Sequence, residues 1–228
     1  MAIADPTIQY AGKGRSYFNI DRHDIFQLVP SDHPGRVLDI GAAEGSMLVA
    51  LKQSGKAREV VGVELMAIPG GGQSRKEIDR FIIADVERQN LDLEQESFDV
   101  VICGDVLEHL RDPWGSLQYL TGFLRRGGKF VISLPNILYW RAFARIILGD
   151  FRYAPSGVLD RTHLRFFCKK NMLDLVRSAG LEILTIEPSF RRHRLLKYDR
   201  LMNALSLGIG ERFLAQQYLI VADKPLNT

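Results

Sequence analysis

The fold of this 228-residue chain is decided by residues 36–46, which read RVLDIGAAEGS. An apolar run leads into a glycine turn, and a helical pattern follows from Ser46. Gly41 and Gly45 allow the backbone to pass close to a ligand, and the following helix offers N–H groups that lack intrahelical partners. This order of strand, turn and helix is typical of α/β proteins that bind nucleotides.

Composition sets the broad class of the protein. The chain is 46% hydrophobic and 25% charged, with a formal net charge of +3 and a pI of about 8.9. These values are ordinary for one soluble domain and argue neither for nor against nucleic acid or membrane partners. Cys103 and Cys168 lie far apart, so we expect reduced thiols in a cytoplasmic protein. The sequence shows no secretory signal and no run of ~18 apolar residues.

Apolar β-rich runs alternate with helical patterns along the chain. Strands are predicted at residues 36–40, 60–65, 81–86, 98–103, 129–134, 181–187 and 217–222. Helices are predicted at residues 21–29, 46–53, 113–124, 137–148, 169–179 and 195–207. Continuous Val, Ile and Leu runs favour a doubly wound α/β sandwich, with helices on both faces of the sheet. The glycine-rich segment 69–74 replaces a crossover helix, and we expect it to be mobile without ligand.

Carboxylates follow consecutive predicted strands. Asp39, Glu64, Asp85 and Asp105 each fall at or just after the carboxyl end of a strand. Ligands of parallel sheets collect at that edge, near the point where the strand order reverses, and an acidic residue there can hold a ribose diol. The sequence therefore predicts a nucleotide-type site.

The glycine turn departs from the dinucleotide fingerprint. G-x-G-x-x-G is not met, because the turn from Gly41 to Gly45 reads GAAEG. The carboxylate of Glu44 would repel a pyrophosphate and favour a cationic ligand. This argues against the interpretation of the protein as a nicotinamide-dependent oxidoreductase, which we keep as an alternative function.

At these residues the sequence resembles the class I S-adenosylmethionine-dependent methyltransferases, from about residue 17 to 188 with a closing strand near Tyr218. Residues 37–45 resemble the family's first motif, V-L-D-h-G-x-G-x-G, with Ala43 at the middle glycine. Residues 84–86 are similar to the segment that follows the third strand.

Later segments of the chain resemble the family as well, and some of them resemble its bacterial small-molecule and glycan branch, of type 11 or 12. Residues 98–110 resemble the fourth motif of that branch. Residues 124–130 resemble the L-x-P-G-G turn before the fifth strand, with Arg126 in place of the proline. Residues 133–136 and 160–163 are similar to bacterial enzymes of polysaccharide or other small-molecule O-methylation.

The resemblance implies a fold, a cofactor and a set of contacts. The fold is a mostly parallel seven-stranded sheet with an antiparallel last strand, and the cofactor is S-adenosyl-L-methionine. Glu64 would bind the ribose hydroxyls, while the Asp85 carboxylate and the Val86 N–H would read the adenine. The full set of expected cofactor-binding residues is Tyr17, Asp39, Gly41, Ala42, Glu44, Gly45, Glu64, Asp85, Val86, Gly104 and Asp105.

The chemistry implied by this cofactor needs alignment of the acceptor and exclusion of water, but no metal. A hydroxyl acceptor also needs a general base, usually histidine. His163 and His109 are the candidate catalytic residues, and Asp160 is placed to orient His163. A hydrogen-bonding or capping role is the structural alternative for each of the three.

The whole chain, residues 1–228, is interpreted as one methyltransferase domain. Residues 1–35 form an amino-terminal helical cap and residues 36–188 the cofactor-binding core. Within the core, the aromatic segment 136–167 is an acceptor lid, although packing into the core or a dimer interface also suits it. Residues 189–228 form a basic helical insertion and the closing strand.

The expected partners are a small-molecule or glycan acceptor, an anionic membrane surface contacted by the basic run at residues 191–200, and a second copy in a homodimer. Nucleic acid is not expected, because the run lacks interleaved stacking aromatics. A methyltransferase-like binding module without activity remains the other alternative function.

Overall fold

The strands form where the apolar runs lie. The computed structural model describes residues 7, 10, 13–14, 22–31, 35–190 and 210–226. Tyr17, the basic run at residues 191–200 and the predicted helix at residues 195–207 lie outside the described residues. The strands are β1 (Gly35–Ile40), β2 (Ala57–Glu64), β3 (Arg80–Ile83), β4 (Phe98–Gly104), β5 (Leu124–Pro135), β6 (Glu182–Ser189) and β7 (Gln217–Asp223).

The helices of the described part of the chain lie between these strands. They are α1 (His23–Leu28), α2 (Ser46–Gln53), α3 (Pro113–Thr121), α4 (Trp140–Ile147), α5 (Lys169–Ser178) and α6 (Glu211–Leu214). The Asp112 carboxylate caps α3 by accepting the Gly115 N–H, ahead of Pro113 at the first helical position. Within the described residues, no helix is both long and apolar enough to cross a membrane.

All seven strands join one sheet in the order β3-β2-β1-β4-β5-β7-β6. Val37 of β1 is paired with Val60 of β2 on one side and with Val100 of β4 on the other, both in parallel register. β7 runs antiparallel to both of its neighbours, β5 and β6. The predicted mostly parallel seven-stranded sheet with an antiparallel last strand is therefore confirmed. The strand order reverses between β1 and β4, which places the ligand edge at their carboxyl ends.

The core lies on both faces of the sheet, because successive side chains of a strand point to opposite faces. Leu38 and Ile40 of β1 belong to one buried cluster, which includes residues of α3 and α5. Val37 belongs to the other cluster, which includes residues of α1 and α2. Asp39 lies two residues after Val37 and therefore points to the same face of the sheet. It is only 6% exposed, so its carboxylate is buried beside apolar side chains.

Two of the predicted boundaries are wrong for local reasons. β3 ends at Ile83 rather than at residue 86, because the Asp85 carboxylate accepts the Glu87 N–H and opens a 3-10 turn. α4 begins at Trp140 rather than at residue 137, because the Asn136 side chain accepts the Leu138 N–H and holds a turn before the helix. Both cases are side-chain-capped turns that apolar periodicity does not detect.

The glycine-rich segment 69–74 is anchored by its glutamine. The Gln73 amide donates to the carbonyl oxygens of Ala43 and Met66, at 2.9 and 3.3 Å, and accepts the Ile68 N–H. Gly72–Ser74 forms a 3-10 turn. The segment therefore supports the glycine turn after β1 directly, in the place where a crossover helix would otherwise lie.

The turn after β1 needs three left-handed residues. Gly41, Ala43 and Gly45 have φ angles of 72°, 49° and 78°. Glycine adopts this region freely, whereas a residue with a Cβ does so at a cost. Ala43, which stands where the resembled motif has glycine, is the strained member of the turn.

We expect Ala43→Gly to stabilise the protein. The substitution removes the left-handed Cβ strain of about 1–2 kcal/mol, partly offset by the larger unfolded-state entropy of glycine, so a net gain of about 0.5–1 kcal/mol is expected. Urea unfolding of both proteins measures the change. Ala42→Gly, one residue earlier, is the control and should destabilise. A less stable Ala43→Gly protein would contradict the strain.

Candidate active site

A cavity of about 1320 Å³ lies at the carboxyl ends of β1, β2 and β4. Its walls come from the turns after these strands, and part of its rim comes from residues 156–164. Ligand sites usually enclose about 300–1,000 Å³, so this cavity has room for a cofactor and an acceptor together.

Most of the predicted cofactor residues line this cavity. Those in its wall are Asp39, Gly41, Ala42, Glu44, Glu64, Asp85, Val86, Gly104 and Asp105. Gly45 does not line the cavity. It is the left-handed residue before α2, so its role is to turn the chain into that helix. Tyr17 lies outside the described residues, and Tyr10 lines the cavity from the amino-terminal side.

The glycine turn is fixed by backbone hydrogen bonds. The N–H groups of Gly41 and Ala42 both donate to the Val63 carbonyl, at 2.9 and 3.1 Å. A Cβ added to Gly41 would lie 2.4 Å from Cγ2 of Val106, in a backbone conformation that L side chains rarely adopt. Position 41 therefore requires glycine.

Glu64 joins the second strand to the glycine turn. One carboxylate oxygen accepts the Ala43 N–H and the other accepts the Leu65 N–H, each at 2.8 Å. Burial raises the pKa of Glu64, and the two backbone donors oppose that rise. Each oxygen keeps a second lone pair, so the carboxylate can also accept hydroxyl groups of a ligand, as a ribose site requires.

Asp39 is the most perturbed carboxyl of the predicted cofactor set. Burial and the nearby charge of Glu64 raise its pKa to about 7, while the charge of Arg22 lowers it. A carboxyl with this pKa responds strongly to a cationic ligand. Glu44 is also buried, at 5% exposure, so the cavity wall is acidic on the side of the glycine turn.

Asp105 lies in a polar network that sequence reasoning missed. Its carboxylate is paired with the guanidinium of Arg22 and accepts the Ser133 hydroxyl at 2.9 Å. Arg22 also donates to the Ser133 oxygen, at 3.1 Å. Arg22 is the residue just before α1, so the start of the amino-terminal helix places a cation at the site. Its position in the first turn of the helix predicted at residues 21–29 was the available signal, but an arginine there is usually solvated.

Glu108 is the second functional residue that sequence reasoning missed. Its side chain is 1% exposed, and Oε2 has no hydrogen-bond partner among the described residues. Oε1 lies 3.9 Å from Nε2 of His163. Burial, with the charge of Asp105, raises the pKa of Glu108 well above its usual range. The available signal was its place beside the predicted His109.

His109 and His163 meet in the cavity wall, as a common site requires. Their rings are 4.8 Å apart and edge-on. Nδ1 of His109 lies 3.0 Å from the Thr162 carbonyl, and Nδ1 of His163 lies 3.0 Å from the Val158 carbonyl. A carbonyl oxygen only accepts, so each Nδ1 carries the hydrogen and each Nε2 carries a lone pair.

Both histidines are held neutral. Burial lowers the pKa of His109 to about 4, with a further contribution from His163. Burial also lowers the pKa of His163. At neutral pH both Nε2 atoms are therefore available as proton acceptors.

The prediction that the Asp160 carboxylate orients the His163 ring is wrong, because this carboxylate binds other groups. The Asp160 carboxylate pairs with Lys13 at 2.6 Å and accepts the N–H and hydroxyl of Thr162, both at 2.9 Å. The Val158 carbonyl holds the His163 ring instead. The lowered pKa of Asp160, to which Lys13 contributes, fits a buried structural ion pair that ties the amino-terminal segment to the cavity rim.

The family profile described as methyltransferase domain matches residues 14–186. The chain belongs to this family. It is similar to the ubiquinone biosynthesis O-methyltransferase of Idiomarina loihiensis, with 31% identity over 162 residues, 66% of this chain and 63% of that protein. The same enzyme of Ruegeria pomeroyi is 33% identical over 157 residues, which are 64% and 60% of the two chains. The matches thus span less than two thirds of these relatives' length.

Solved structures agree in fold. An S-adenosylmethionine-dependent methyltransferase from Archaeoglobus fulgidus has a TM-score of 0.65 and 19% identity, covering 92% of this chain and 95% of its own. The 1,6-didemethyltoxoflavin-N1-methyltransferase of Burkholderia thailandensis, solved with S-adenosylhomocysteine, has a TM-score of 0.59 and 19% identity, covering 99% and 92%. The class I methyltransferase fold and its cofactor type, S-adenosylmethionine, are those predicted from the sequence.

We expect binding of the cationic donor to release a proton from Asp39. A positive ligand in the cavity favours the ionised carboxylate, so the Asp39 pKa falls on binding and affinity rises with pH, by up to about tenfold per pH unit below pH 7. Calorimetry of S-adenosylmethionine binding, in two buffers of different ionisation enthalpy near pH 6.5, counts the protons.

The matched control is Asp39→Asn, which keeps the shape and cannot titrate. It should bind more weakly and show a flatter pH profile, with Glu64 accounting for any remaining slope. Proton uptake by the unsubstituted protein, or an unchanged slope in Asp39→Asn, would show that another group titrates.

Proposed function

We propose that the protein transfers the methyl group of S-adenosylmethionine to a hydroxyl oxygen of a small molecule. The observation that carries this proposal is the pair of neutral histidines that line the same cavity as the expected cofactor residues. A hydroxyl acceptor must lose a proton as its oxygen is methylated, and a buried imidazole is suited to take it. The relatives are O-methyltransferases of ubiquinone biosynthesis, and this supports an oxygen acceptor.

The residues fit the donor. Bound S-adenosylmethionine supplies an already activated methyl group on a sulfonium. Asp39 and Glu44 supply negative charge beside the glycine turn, and Glu64 supplies two acceptor oxygens. The cavity wall thus complements a cationic ligand with hydroxyl groups, and it opposes the phosphates of a nicotinamide cofactor.

The proton follows a short path in this scheme. The acceptor oxygen would take the methyl group from the sulfonium, S-adenosylhomocysteine would leave, and the hydroxyl proton would pass to Nε2 of His163. The resulting imidazolium would lie 3.9 Å from Oε1 of Glu108, and its positive charge would lower the pKa of that carboxyl. His109 packs edge-on against His163 and keeps water from one side of the ring.

The acceptor class within this scheme is a hydroxylated small molecule, with glycan precursors retained from the sequence interpretation. Purified protein with S-adenosylmethionine should release S-adenosylhomocysteine with at least one member of a panel of phenols, sugars and lipid-linked sugars. Donor binding without turnover on an extended panel would favour a binding module without activity.

We expect His163→Ala to lower turnover about 10²- to 10⁴-fold and to leave the affinity for S-adenosylhomocysteine unchanged. The base is lost, whereas the expected donor contacts lie at the carboxyl ends of β1 to β4. Added imidazole should restore part of the turnover, which a merely structural histidine would not allow. Initial rates with an acceptor found in the panel measure the effect.

Two controls accompany that measurement. His163→Gln keeps side-chain polarity without a base and should be equally slow and unrescued. Dialysis against a chelator should not change the rate, because the mechanism uses no metal. Ligand atoms of Glu108, His109 and His163 lie within 4.8 Å of one another, so a chelator-sensitive rate would mean that they hold a metal ion instead. Equal turnover in His163→Ala would contradict the assignment of the base.

A further inference from the structure

Helix α4 presents its apolar side to solvent. Trp140, Ala144, Ile147 and Leu148 recur at the spacing of one helix face and are all exposed. The exposed fractions are 48% for Trp140, 67% for Ile147 and 83% for Leu148. These four residues are called the apolar stripe. In a surface helix of a soluble domain the apolar face normally points toward the core, whereas the apolar stripe of α4 points to solvent.

The opposite side of α4 accounts for its attachment to the protein. Ala142 is buried with Val158 and Leu159 in a small cluster separate from the two main clusters. The stripe itself continues sideways into a shallow groove of about 550 Å³, whose lining also includes Phe143 and Phe213. Because α4 is already anchored by its other face, the exposed stripe is not needed to hold the fold.

Arginines border the apolar stripe. Arg141 and Arg145 lie on α4 itself, Arg152 follows it, and the Arg141 guanidinium lies 5.2 Å from the Trp140 ring centroid. Residues 140–153 contain three arginines and one acidic residue, Asp150, which pairs with Arg145 and Arg152. The border is therefore net positive around an apolar centre.

We propose that the apolar stripe docks on a bilayer that contains anionic phospholipid. Helices that lie in a membrane interface combine an apolar face with basic residues, and tryptophan is enriched at that depth. The arginine side chains can reach anionic headgroups while their aliphatic parts remain against the apolar layer. The charge of the border is complementary to such a surface.

A second copy of the chain fits this face less well. A two-fold interface would bring the same arginines of both copies to one seam, where they repel. An eight-residue helix is ~12 Å long, and its stripe offers much less than the ~800 Å² per partner of a stable interface. Docking on a bilayer does not require a large contact area with a single rigid partner. The anionic headgroups also carry the charge opposite to that of the arginines.

The stripe lies on the segment that leads to the cavity rim. Phe151 and Tyr153 are exposed beyond α4, and Phe151 contacts Phe166, whose ring is 6.3 Å from that of His163. Docking would therefore place the rim at residues 156–164 close to the membrane surface. This inference does not depend on the proposed methyl transfer.

The test is flotation of the full chain with vesicles of phosphatidylcholine, with and without phosphatidylglycerol. We expect binding to the anionic vesicles that weakens with salt, and a loss of about tenfold or more in Ile147→Glu/Leu148→Glu. Leu184→Glu, an exposed leucine of β6, is the matched control and should bind normally. In a Trp114→Phe background, vesicles should shift the Trp140 emission to the blue.

Several outcomes would overturn the docking proposal. They are the absence of binding to anionic vesicles, equal binding by the Ile147→Glu/Leu148→Glu protein, or light scattering that shows a dimer broken by the same double substitution. The affinity for S-adenosylhomocysteine is measured on each variant as the check on folding. Normal donor binding with lost vesicle binding separates this result from a failure of the proposed function.

Discussion

The contact between the Glu64 carboxylate and the Ala43 N–H links the parts of this site. It joins the end of β2 to the turn after β1, the strand with which β2 pairs in parallel. The same turn is held from the other side by the Gln73 amide on the Ala43 carbonyl. With both groups in place, three left-handed residues are kept in one conformation, and the chain enters α2 at the geometry that a ligand needs.

A second constraint acts at the reacting end of the cavity. The carbonyl oxygens of Val158 and Thr162 fix both histidine tautomers, so the two Nε2 atoms are acceptors. Glu108 is a buried carboxyl beside His163, and its Oε2 has no hydrogen-bond partner in the described part of the chain. The acidic end of the cavity and the end lined by histidines are thus built from different elements.

The sequence predicted the fold, and it predicted residues that the structure brings together around one cavity, for identifiable reasons. The β1 turn and the strand-end carboxylates are local in sequence, and strand order places them together. Arg22 and Glu108 were not predicted, because their roles arise from contacts across 83 and 55 residues, with Asp105 and His163. The orientation of α4 was left open, because periodicity shows an apolar stripe but not whether it faces the core.

The assigned cofactor site is tested by calorimetric titration of the unsubstituted chain and of Gly41→Val with S-adenosylmethionine, S-adenosylhomocysteine and NAD. We expect saturable binding of the first two ligands and none of NAD. We also expect loss of that binding in Gly41→Val, because a side chain at position 41 collides with Val106 in the turn. Binding of NAD alone, or donor binding unaffected by Gly41→Val, would contradict the assigned site.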